Sequence, residues 1–110
     1  MSSSSVSQVI VLIARSHDGQ SVFLDHNGGL PHEEKRSGEH PVETADRLAQ
    51  RHNISEAHIF TKLKPKSTAH LPHTIFFLTD CQADSPPQAN WVDKSALTFD
   101  NQRVEFEHEI

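Results

Sequence analysis

Residues 30–54 read LPHEEKRSGEHPVETADRLAQRHNI, and the reading of this stretch decides the fold. Its second half has helical spacing. Pro41 suits a first helical position, where its missing N–H would lack a partner anyway. Val42, Ala45, Leu48 and Ala49 recur at three- and four-residue intervals and predict one buried stripe. Asn53 is the expected stop, because asparagine tolerates the left-handed conformation of a helix C-cap. The first half differs. After a short extended Leu30-Pro31, residues 32–38 are polar throughout and predict a loop.

Working outward, residues 9–14 (VIVLIA) form a continuous, largely β-branched apolar run that predicts a central strand. Asp18-Gly19 is hairpin-turn chemistry, residues 21–25 return as a second strand, and Asn27-Gly28-Gly29 breaks it. Beyond the helix, residues 57–63 predict a strand, 64–68 a loop, and 74–79 (TIFFLT) a strong strand. A loop at 84–87 and a short strand at Trp91-Val92 follow. Residues 94–97 have room for only a brief helix, and Val104-Glu105-Phe106-Glu107 alternates like an added edge strand. This order predicts one α/β domain with a mixed sheet over residues 8–110, preceded by a loose tail at 1–7. A C-terminal helix is expected to be short or missing, leaving one sheet face thinly covered.

Composition narrows the function classes. The chain has 110 residues, enough for one modest core and too few for two domains. Its 35% hydrophobic and 23% charged content suits a globular protein. A net charge of −5 offers no general grip on nucleic acid or anionic lipid. The longest apolar run is too short to cross a bilayer. The single cysteine, Cys81, has no internal disulfide partner and fits a reducing, cytoplasmic location. Nine histidines are scattered without zinc spacing; His70 and His73 come closest, with no second ligand pair at a suitable distance.

The stretch 30–54 resembles the Nudix box. That signature runs glycine, five residues, glutamate, seven residues, then Arg-Glu-aliphatic-any-Glu-Glu-any-Gly-aliphatic. Gly38-Glu39 matches the Gly-Glu before the helix, Pro41 the frequent proline, and Arg47 falls at the signature arginine. Ala49 takes the buried aliphatic position, and Leu30-Pro31 stands where the family has Leu-Pro. The hairpin before the box, the strands after it and Trp91-Val92 extend the resemblance over roughly residues 8–98. It implies a Nudix-like α/β/α sandwich. The departures are equally specific: the first signature glycine is Glu33, the three core glutamates are Leu48, Arg51 and His52, and the closing glycine is absent.

In the family those glutamates hold divalent metal, commonly magnesium, which prefers oxygen ligands. Leucine cannot ligate, arginine cannot be deprotonated, and histidine is a poor magnesium ligand. The resemblance therefore implies no catalytic residues and no metal site in this chain. Glu39, Glu43 and Asp46 are no ready replacement. At about 100° per residue they point roughly 130° or more away from positions 48, 51 and 52. They read as a solvated acidic face, with Glu43 one turn before Arg47 and placed to pair with it. Glu33 and Glu34, in the expected loop, have no defined geometry. Arg51 and His52 are the candidate ligand-binding residues, with Arg51 placed to take an anionic group without a bridging metal. The plainer reading leaves Arg51 in solvent and His52 at the edge of the core.

The expectation is thus a non-catalytic or weakly active Nudix-like protein that binds a nucleotide-type ligand or a protein partner and needs no cofactor. The alternative is a divergent hydrolase cleaving a nucleoside diphosphate linked to another moiety, which would require Mg²⁺ or Mn²⁺. A third reading is a homodimer through an exposed strand edge, with Phe76-Phe77 serving both core and partner.

Overall fold

A computed structural model describes residues 8–16, 18–25, 28–52, 54, 59–66, 73–80, 90–93, 95, 98–99 and 102–107. The elements are β1 (Val9–Arg15), β2 (Ser21–Leu24), β3 (His32–Glu34), α1 (Pro41–Arg51), β4 (Thr61–Leu63), β5 (Thr74–Asp80), β6 (Asn90–Asp93), β7 (Thr98–Phe99) and β8 (Gln102–Arg103). β1 is the axis of the molecule. It runs parallel to β5 from Val9↔Thr74 to Arg15↔Asp80. On its other flank it pairs antiparallel with β3 over Val9–Val11 and meets β2 at Arg15↔Val22. The Leu12 N–H donates to the Pro31 carbonyl between those two pairings. The larger sheet has the order β4-β5-β1-β2-β6, with β3 attached to β1; β7 and β8 pair separately. A strand flanked on both edges and covered on both faces must be apolar at successive positions. Ile10 through Ala14 are all fully buried.

Alternation along β1 divides the core in two. Ile10, Leu12 and Ala14 pack towards α1 with Phe23, Ala45, Leu48, Ala49, Ile54 and Phe77. Val11 and Ile13 point the other way, into Val22, Leu30, Leu63, Phe76, Val104 and Phe106. The molecule is a mixed α/β fold with a mixed sheet and, among the described residues, a single helix. None of those residues forms a helix long and apolar enough to cross a membrane.

The structure corrects several expectations. The polar stretch 32–34 is a strand, because its backbone completes the open edge of β1 whatever its side chains prefer. Val42 is 45% exposed, and Thr44, fully buried, takes its place in the stripe. Among the described residues of the segment 57–63, Thr61–Leu63 pair, while Ile59 is largely exposed. The second sheet face is not thinly covered. Val104 and Phe106 close it, with Phe99 packed against them, and Phe106 bridges Pro65. The Lys66 and Glu107 N–H groups donate across that bridge to Glu105 and Lys64, each at 2.9 Å. Phe76 and Phe77 are both buried, one on each face, with Phe76 fully enclosed. The tail at 1–7, Asn53, His70, Cys81, the 84–87 loop, and Lys94, Ala96 and Leu97 lie outside the described residues.

Candidate functional site

The turn before α1 is one that only certain residues can make. Gly38 has φ +79°, a conformation that strains any residue with a Cβ, so the glycine is required by the backbone rather than by crowding. The turn delivers Glu39 to the foot of α1. Glu39 Oε1 accepts from the Arg36 N–H at 3.1 Å and from the Thr44 hydroxyl at 2.7 Å, while Oε2 accepts from Arg47 Nη1. The Lys35 ammonium donates to the Glu39 carbonyl at 2.9 Å. The Thr44 and Arg36 hydrogen bonds, with the Arg47 charge, hold the Glu39 carboxyl below its ordinary pKa against a smaller opposing effect of burial.

Arg47 is the centre of the arrangement. Its Nε donates to Glu33 Oε2 at 2.5 Å, Nη1 to Glu39, and Nη2 to the Glu34 carbonyl at 3.4 Å. Burial works against the guanidinium charge, but Glu33 and Glu39 together outweigh it and raise the Arg47 pKa. Arg51, one turn further along, forms an ion pair with Glu33 Oε1. That oxygen is sequestered and has no aligned hydrogen bond, so its contact with Arg51 is a charge contact. Two carboxylates and two guanidiniums thus form a neutral chain, Glu39–Arg47–Glu33–Arg51, joining β3 to one edge of α1.

The predicted box positions therefore separate into three settings. Glu33, Glu39, Arg47 and Arg51 come together. Leu48 does not join them: it is fully buried in the helix-side core. His52 is half-buried at the helix C-cap, with its ring edge-on to Phe23 at 5.5 Å. The expected Arg47–Glu43 pairing is replaced by the two longer-range carboxylates, and Glu43 Oε1 instead accepts from the His40 N–H at 2.8 Å. Nor is Glu39 part of a solvated face, since its side chain is only 17% exposed. Glu33, expected in a loop, is fixed by β3. Arg51 is 56% exposed yet engaged by Glu33, so it neither projects freely into solvent nor offers an unclaimed charge.

Sequence reasoning missed Thr44. Its signal was its place one turn before Leu48, on the buried stripe, where a hydroxyl must find a partner.

The set does not fit a divalent cation. Leu48 offers no ligand, Arg51 carries positive charge, and the two suitable carboxylates already face guanidiniums. Among the described residues no three His, Cys, Asp or Glu side chains gather as a metal-holding group. What the arrangement does chemically is fasten β3 and the box turn to α1. No family model matches the chain, and no curated protein matches it with significant similarity.

Proposed function

We propose that the chain is a Nudix-like domain of cytoplasmic location whose box has become a structural clasp. It acts as a non-catalytic or weakly active binder of a nucleotide-type ligand. One observation carries this reading: the carboxylates that remain near the box, Glu33 and Glu39, are held by Arg47 and Arg51. The order of hairpin, Gly-Glu turn, helix and mixed sheet supports the sandwich assignment. On the second face, a β-hairpin and an extended segment stand where that assignment would put a helix.

Calorimetry with common nucleotides in EDTA, paired with a turnover assay in Mg²⁺ and Mn²⁺, tests it. Saturable heat without turnover is expected. Metal-dependent turnover that disappears in Glu39→Gln would favour the divergent hydrolase instead, and no heat from any nucleotide would refute nucleotide binding.

A further inference from the structure

Away from the clasp, a groove of about 260 Å³ opens between the first turn of α1 and the β4–β5 edge of the sheet. Among the described residues it is lined by His40, Pro41, Val42, Lys62, Ile75 and Phe77. The register explains why these meet. Lys62 lies opposite Phe77 in the β4–β5 pairing, and Phe77 belongs to the helix-side core with Ile75 packed against it. Val42, displaced from the buried stripe, forms the wall and is 45% exposed.

We propose that this groove is a ligand site, separate from the Glu39–Arg47–Glu33–Arg51 clasp, for a small molecule with a ring-sized apolar body and one carboxylate. Three features specify that chemistry. The floor and wall are apolar, which suits a hydrophobic body. The volume exceeds the roughly 150 Å³ that holds a benzene ring. The charge is one-sided: among the described lining residues Lys62 is the one fixed cation and none is acidic, in a chain of net charge −5. The apolar body rests on Val42, Ile75 and Phe77, and its carboxylate faces Lys62.

The test uses the full chain, ¹⁵N-labelled and titrated with indole-3-acetate and, separately, with uncharged 3-methylindole. Amide shifts should cluster at Val42, Lys62, Ile75 and Phe77, with the acid binding about threefold more tightly, the scale of one exposed ion pair. Lys62→Met should remove that preference, and Val42→Gln should weaken both ligands. Lys62 and Val42 are exposed, so both variants keep the fold, as the unchanged remainder of the spectrum will show. Shifts elsewhere, no saturation by millimolar ligand, or equal binding of acid and neutral indole to the wild type would overturn the proposal.

Discussion

Arg47 and Leu48 are neighbours in sequence, yet they belong to different edges of the same helix. Thr44, Ala45, Leu48 and Ala49 form an apolar edge pressed on β1, buried by alternation in the strand and periodicity in the helix. Arg47 and Arg51 form an ionic edge, set one turn apart and joined to Glu33 and Glu39. The apolar edge obeys a local rule, since each residue in it is buried by its spacing. The ionic edge depends on partners up to 18 positions away, which meet the helix only because β3 pairs with β1. Helix and glycine turn form the scaffold of this stretch, and its carboxylates Glu33 and Glu39 serve the arginines.

The strongest way to break this contrast is to put a carboxylate on the apolar edge. Leu48→Glu buries a charge with no partner and should cost at least about 3 kcal/mol in chemical denaturation, without creating metal-dependent turnover. A mild cost would mean that position 48 faces solvent. On the ionic edge, Arg47→Met should lower the thermal midpoint more than Arg51→Met, because it removes ion pairs to two carboxylates rather than one. Arg47→Lys should resemble Arg47→Met, since one ammonium cannot reproduce the guanidinium fork that spans both. Equal midpoints for Arg47→Met and Arg51→Met would contradict the central place of Arg47.

Thr44 links the two edges and makes a pH prediction. The Glu39 pKa is depressed in the folded protein, so its stabilisation is complete above the unfolded carboxylate value, about 4.3. It is lost as pH falls through the lower folded value. Thr44→Val removes the largest cause of the depression. Carboxyl NMR should then show Glu39 titrating at higher pH, with a smaller acid-side loss attributable to this group. An unmoved Glu39 titration would assign the depression to Arg36 and Arg47. The smallest effect belongs to the outer surface of the helix, where Gln50 donates to Asp46 at 2.9 Å. Asp46→Asn should shift stability by only about 0.3 kcal/mol.

This contrast also marks what was legible in the sequence. The run at 9–14, the TIFFLT strand and the helix from Pro41 follow from hydrophobic pattern and one proline, all local signals. β3 was not legible, because His32, Glu33 and Glu34 have no strand pattern and pair only to satisfy the backbone of β1. Arg47 was assigned to Glu43 by the one-turn rule. That rule ignores partners from other elements, and Glu43 was already used at the helix start. The absence of glutamate at positions 48, 51 and 52 could be read from residue identity alone. The clasp could not, since it required Glu33 to be placed in space.

The central claim is that Glu33 and Glu39 are committed to arginine rather than to metal, and Mn²⁺ binding tests it most directly. Manganese titrated into the protein and followed by its free-ion electron paramagnetic resonance signal should show no stoichiometric uptake in the wild type, in Glu33→Gln or in Glu39→Gln. One bound Mn²⁺ per chain in the wild type, lost in both variants, would contradict the account.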